Sequence, residues 1–407
     1  MKPLKLFIIL LALIVLISSC TIENVDIGKT PQSDTDTEVD ENVNNTEEKN
    51  NDEKENDTKM TVDIIKEDYA SQAEWSEEML IKYYWNEKAK FMNNTYPFKS
   101  DKGHLNYWWK AHAVDAMMDG FDRTGESRYT DKAEQIVKGI ISRNGSLYNE
   151  FYDDMQWLAL SALRLYDATG DETIKGYVLN LWGDIKNAWW EDGLGGMAWK
   201  KDNNNRNTCS NGPASILAAR LYERFGNEED LEFAKKIHAW LNKNLVDLET
   251  GIVWDGLAVN DDGSIDTQKN WILTYGQGTY IGSAVELYKI TNDEKYLKDA
   301  EKTTAATLDK LVNYSSGILR EEGQGDGGLF KGILIRYLVN LYEINGDEAI
   351  KEMIYHNADS LVGVSYYDGL FGPKWDQPRL TPLDLSTELS GVFLFEGAAK
   401  IEKMDLK

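Results

Sequence analysis

Asp153 and Asp154 stand side by side in Tyr152-Asp-Asp-Met-Gln-Trp157, directly ahead of the apolar run Leu158, Leu160, Ala162, Leu163, Leu165. Breaking a glycosidic bond takes two carboxyl groups, one ionised as nucleophile or base and one protonated as acid. Two adjacent Asp side chains at a helix start can diverge enough to flank a sugar, and mutual repulsion raises the pKa of one. The same residues have a purely structural reading. Asp153 with Gln156 three residues on is a D-x-x-Q capping box, and acidic residues favour helix starts in any case. Taken alone, the dipeptide fits a cap better than a catalytic pair, so its surroundings must decide.

Those surroundings are rich in aromatic and amide side chains. Tyr107, Trp108, Trp109, Trp157, Trp199, Trp254, Tyr275 and Gln277 fall in or beside segments that read as loops. Aromatic faces stack on sugar rings, and amides bond hydroxyls without a charge. Any one of these residues is more often core than platform. Thirteen Trp concentrated near loops point to a carbohydrate cleft. Other chemistries find little support. His104, His112, His238 and His356 are scattered without metal-ligand spacing, and no phosphate loop, dinucleotide fingerprint or G-x-S-x-G elbow occurs, so no cofactor or metal is expected.

The elements that would position these residues come from an internal repeat. Five helices end on a similar phrase, led by Phe121, Tyr166, Tyr222, Tyr288 and Tyr342, as in Tyr166-Asp-Ala-Thr-Gly-Asp-Glu. The Gly or Asn suits a left-handed C-cap, and the acidic residues after it suit the start of a second helix. That second helix has an apolar stripe, for example Tyr129, Ala133, Ile136, Val137, Ile140. A Gly-rich loop then leads to the next unit. Hairpins of about 50 residues with all long loops at one point of the repeat predict an all-α closed toroid of about six hairpins, with strands confined to loop hairpins; an open solenoid is the alternative.

Composition bounds the partners. The chain of 407 residues has a net charge of −25, which disfavours nucleic acid and other polyanions and suits a neutral polysaccharide. Residues 1–20 read as an export signal: Lys2 and Lys5, an apolar run from Leu6 to Ile17, then Ser18-Ser19-Cys20. Cys20 follows small residues as in a bacterial lipobox, so lipidation there, with the lipid as the sole membrane contact, is expected; an uncleaved signal anchor is the alternative. Residues 21–60 hold 13 Asp and Glu against 4 Lys and read as a disordered acidic tether. Residues 61–407 form the folded domain, expected outside the cytoplasm and as a monomer.

The ordered set Tyr107-Trp-Trp-Lys-Ala-His-Ala, Tyr152-Asp-Asp-Met-Gln-Trp, Gly195-Gly-Met-Ala-Trp-Lys, Cys209-Ser-Asn-Gly-Pro-Ala-Ser, Thr274-Tyr-Gly-Gln-Gly and Gly325-Asp-Gly-Gly-Leu-Phe-Lys-Gly resembles glycoside hydrolase family 76. The resemblance spans nearly the whole folded part and implies an (α/α)6 barrel and a retaining endo-α-1,6-mannanase acting on α-mannan. Carried over by motif, Asp153 is the nucleophile and Asp154 the general acid/base. Asn211, Tyr275, Gln277 and Asp326 line the cleft with Trp109, Trp157 and Trp199, although Asp326 also fits a simple turn between glycines. Other readings stay open: a transglycosylase of the same family acting on mannose-containing cell-wall glycans, a non-catalytic mannan-binding lipoprotein, or a different α/α-toroid enzyme such as a uronyl hydrolase or epimerase.

Overall fold

The computed structural model describes residues 68–100, 104–202, 205–260 and 262–406. The expected signal and lipidated Cys20, and the tether 21–60, lie outside the described residues.

Among the described residues the repeat resolves into twelve helices: α1 Tyr69–Tyr84, α2 Tyr107–Thr124, α3 Ser127–Asn144, α4 Tyr152–Thr169, α5 Glu172–Ile185, α6 Thr208–Phe225, α7 Glu228–Asn244, α8 Thr274–Thr291, α9 Glu294–Leu311, α10 Gly327–Asn345, α11 Glu348–Ser365 and α12 Leu385–Asp405. Each repeated phrase is a tight turn between an even-numbered helix and the odd-numbered one that follows. Gly170 caps α4 in the left-handed region at φ 67°, its N–H returning to Tyr166 O, and Asp171 then accepts from the Thr173 amide to open α5. Asn292 takes the glycine's place after α8 at φ 52°, because its short polar side chain tolerates that region. The recurrent leading Tyr also has a partner: Tyr166, Tyr222 and Tyr288 each donate to the Glu six residues on.

Helices α2, α4, α6, α8, α10 and α12 pack each on the next, and α12 returns to α2. The ring is closed, so the structure is the expected (α/α)6 barrel. Helices α3, α5, α7, α9 and α11 lie outside it, and α1 packs against α12, so the sixth hairpin joins the two ends of the folded domain. The two rings differ as their sequences require. Outer α3 buries only the stripe Tyr129, Ala133, Ile136, Val137, Ile140, whereas inner α12 buries almost every residue from Leu385 to Ala399.

Inner helices approach closely where glycine removes a side chain. A Cβ on Gly278 would stand 2.7 Å from Leu334 Cα, and one on Gly332 2.8 Å from Ser390 Cα. Both obstacles are backbone and cannot swing away. From their middles onward the inner helices are tied to one another by buried ion pairs. Arg164 of α4 reaches Asp115 and Asp119 of α2 at 2.8 and 2.7 Å, Arg336 of α10 reaches Asp119 at 2.6 Å, and Arg220 of α6 binds Glu286 of α8. Burial alone would raise Asp115 and Asp119, but Arg336 and Arg164 more than offset it and hold both below the usual carboxylate range.

The short strands lie in the long loops. β1 Trp85–Asn86 pairs with β2 Phe91–Met92, β3 Thr95–Tyr96 with β7 Leu383–Asp384, and β4 Arg206–Asn207, β5 Gly256–Val259 and β6 Ile265–Thr267 form an antiparallel sheet in that order. Because every inner helix begins after a long loop, all six inner-helix starts gather at one mouth.

Gly278→Ala should lower stability by about 1–3 kcal/mol, since the methyl group meets backbone rather than a movable side chain. Urea denaturation followed by circular dichroism measures it; a loss below a few tenths of a kcal/mol would show that α8 and α10 can part at little cost.

Candidate active site

Helix α4 starts at Tyr152, so Asp153 and Asp154 occupy its first turn rather than the loop before it. The capping box does not form. The N-cap is Phe151, with no side-chain cap bond, and Gln156 turns away to donate to Ser210 O on α6 at 2.9 Å. Both Asp side chains are half-buried at the mouth of the ring.

Their surroundings differ. Asp153 faces α6, where burial raises its pKa and the backbone amides of Asp153 and Asp154, the Cys209 thiol and the Trp199 indole favour its charged form; the balance pushes it up to about 7. Asp154 accepts a bond from Asn149 Nδ2 at 2.9 Å. Burial raises it first, the negative charges of Asp153, Asp326 and Glu150 raise it further, and it ends well above an ordinary Asp. Burial raises both, while the negative charges fall on Asp154 and the groups that favour a carboxylate fall on Asp153. One acid and one anion in adjacent positions is the arrangement that glycosidic cleavage demands.

Loop contacts hold the pair in place. Tyr152 N donates to Trp199 O at 2.9 Å, Lys201 N to Glu150 O at 2.8 Å, and Tyr107 OH to Leu147 O at 2.7 Å. Trp199 is half-buried and presents its indole to Asp153. Across the mouth, Trp108 and Trp109 of α2 both direct Nε1 to Asp326 Oδ1 at 3.1 Å. Asp326 is exposed at the start of α10 and makes no cap bond, so it is a mouth carboxylate held by two indoles rather than a turn residue alone. A cavity of about 420 Å³ continues beside Trp109, lined by Asn94, Thr95, Ser100, His104, Asn106 and Asp384.

Two expected cleft residues are corrected. Asn211 and Gln277 have no exposed surface, and their amides are taken up by backbone. Asn211 accepts from Met197 N at 2.8 Å and donates to Met197 O at 3.1 Å, and Gln277 makes the same two-point clasp on Val253 at 2.9 and 2.7 Å. Each is the fourth residue of its helix, and each pins the preceding loop: one carries Trp199, the other Trp254 and Asp255. They shape the cleft without facing it. Trp157 and Trp109 are also largely covered, at 3% and 5% exposure, Trp157 packing its ring 4.7 Å from that of His112. Tyr275, 4% exposed, donates a hydrogen bond from its hydroxyl to Asp255 Oδ1.

Three participants are absent from the sequence-based reading. Asn149 and Asp255 stand beside aromatic residues, Tyr148 and Trp254, which drew attention to themselves and not to their polar neighbours. Cys209 alone carried a signal, through its place one residue before Ser210-Asn211 in a mouth motif.

Comparison with known proteins places this geometry. The model of Glycosyl hydrolase family 76 matches residues 68–377. The GH76A alpha-1,6-mannanase of Salegentibacter sp. HEL1_6 is 39% identical with a TM-score of 0.78, over 82% of this chain and 100% of that one. A variant of that enzyme, inactivated at two consecutive aspartates and solved in complex with alpha-1,6-mannotetrose, is 40% identical with a TM-score of 0.77, over 82% and 99%. A mannan endo-1,6-alpha-mannosidase of Candida glabrata is 24% identical over 65% of this chain, and a putative one of Schizosaccharomyces pombe is 27% identical over 57%. The chain spans 64% and 58% of the length of these two curated relatives.

Asp326→Asn should lower the pH at which Asp154 gives up its proton, because a neighbouring negative charge that disfavours ionisation is removed while an acceptor for both indoles stays. Infrared difference spectra of the carboxylic acid band across a pH titration read the shift. An unchanged or raised midpoint would mean that Asp326 does not act on the pair electrostatically.

Proposed function

The chain belongs to glycosyl hydrolase family 76, and from that premise we propose that it hydrolyses internal α-1,6-mannosidic bonds of α-mannan by double displacement. Asp153 attacks the anomeric carbon as the glycosidic C–O bond breaks, and Asp154 delivers its proton to the departing oxygen. Asp154, now a carboxylate, takes a proton from water, whose oxygen attacks the anomeric carbon and displaces Asp153. Free sugar leaves, and both carboxyl groups return to their starting state.

The observation that carries this reading is the unequal environment of the pair: the negative charges of Asp153, Asp326 and Glu150 crowd Asp154, while Asp153 lies beside amides, a thiol and an indole that favour its charged form. Two further points support it. A relative 40% identical is inactivated at two consecutive aspartates and binds alpha-1,6-mannotetrose, and the mouth offers indoles and neutral polar groups suited to an uncharged polymer. The same proposal places the enzyme outside the cytoplasm, tethered by residues 21–60 to a lipid on Cys20.

Asp154→Asn should cut hydrolysis of linear α-1,6-mannan by about 10²–10⁴-fold, the usual contribution of a general acid. Asp153→Asn should abolish turnover. Reducing-sugar release by folded variants is the assay, and parental rates in either would sink the assignment.

A further inference from the structure

One tryptophan stands where the fold gains little from it. Trp271, in the loop between β6 and α8, is 62% exposed, far more than Trp190, the next, at 37%. Its main chain is nonetheless pinned. Trp271 N donates to Gln268 O at 3.0 Å, Trp271 O accepts from Asp255 N at 2.8 Å, and the next carbonyl, Ile272 O, accepts from Arg320. A lone exposed apolar side chain needs no explanation. This one has a particular place and particular company.

The place is the flank of the mouth on the Asp153 side. Thr208, the first residue of α6, donates its N–H to Asp255 O at 2.7 Å and its hydroxyl to Trp254 O at 2.8 Å. Two residues along, Ser210 O accepts from Gln156 of α4 at 2.9 Å, three residues after Asp153. A run of hydrogen bonds thus leads from α4 through the start of α6 to Trp271. With α6 standing between, the indole is out of reach of the sugar under cleavage but beside the same cleft. The company is Trp254, half-buried directly before Asp255, with Lys269 Nζ 4.5 Å from its ring centre. On the opposite side of α4, Trp108 of α2 is half-buried and bonded to Asp326. Indoles therefore flank the catalytic pair on both sides.

Continuity and charge select the occupant. A polymer cut at an internal bond continues past the carboxylates in both directions, and the Trp254–Trp271 shelf extends the cleft in one of them. An indole face takes the C–H face of a sugar ring. A neutral glycan meets no repulsion from a chain of net charge −25, whereas a polyanion does.

We propose that Trp271 is a distal sugar platform, stacking on a mannosyl unit beyond those held at Asp153 and Asp154, and so makes affinity depend on chain length. This deepens the proposed function and rests on it.

Binding to the full chain carrying Asp153→Asn and Asp154→Asn, read by titration calorimetry, tests the platform without turnover. Trp271→Ala should weaken binding of linear α-1,6-mannan by about fivefold to tenfold, the usual cost of truncating an aromatic anchor. It should leave α-1,6-mannotriose, too short to reach the loop from the carboxylates, bound as before. Trp271→Phe, which keeps an aromatic face, should restore most of the polymer affinity. Unchanged polymer binding in Trp271→Ala, or an equal loss for mannotriose, would overturn the proposal. So would a dimer in sedimentation that Trp271→Ala converts to monomer, because the indole would then seat a second copy of the chain. The mannanase reading fails separately: a parental chain that binds the polymer without cleaving it rejects that reading and leaves the chain-length effect of Trp271 standing.

Discussion

Six helices arranged head to head around one axis repel one another, because each carries partial positive charge at its start and negative charge at its end. The barrel sets carboxylates at three of the six inner-helix starts and ties neighbouring inner helices with arginine–carboxylate pairs farther along. Late in the inner helices stand Arg123, Arg164 and Arg220, locked to carboxylates of neighbouring helices. At the starts stand Asp153, Asp154, Asp326 and Asp384. Asp153 and Asp154 thus stand where a helix start favours a carboxylate, and the proposed chemistry uses both.

Identical residues in adjacent positions become chemically different because a helix turns about 100° per residue. Asp153 meets α6 and the Trp199 loop, which supply donors. Asp154 meets Asn149 and the charges of Asp326 and Glu150. The asymmetry belongs to the neighbouring elements rather than to the dipeptide. Loop anchors far from the carboxylates, such as the Asn211 clasp on Met197, therefore bear on the chemistry: they fix where Trp199 stands.

The five tight turns were legible in the sequence because C-caps and N-caps are local chemistry, written within seven residues of each phrase. Ring closure was legible less directly: α1 and α12 carry no phrase, and their pairing across the domain follows only from burial of both. Asn211 and Gln277 were misread for a physical reason. A buried amide and a cleft amide look alike in sequence, and only the tertiary approach of Met197 and Val253 reveals that backbone satisfies them. Gln156 misled in the same way, since its partner is Ser210 of another helix and not the start of its own. The Asp pair itself was visible, but the division of labour within it depends on Cys209, Trp199 and Asp326, which are distant in sequence.

In the proposed reaction this pair cleaves α-mannan through a covalent intermediate on Asp153. Proton NMR of the anomeric signals during the first minutes of reaction with linear α-1,6-mannan tests it most directly. Two displacements at one carbon predict that the first reducing ends are α, with β appearing later by mutarotation. First-formed β ends would show a single displacement by water and contradict the account.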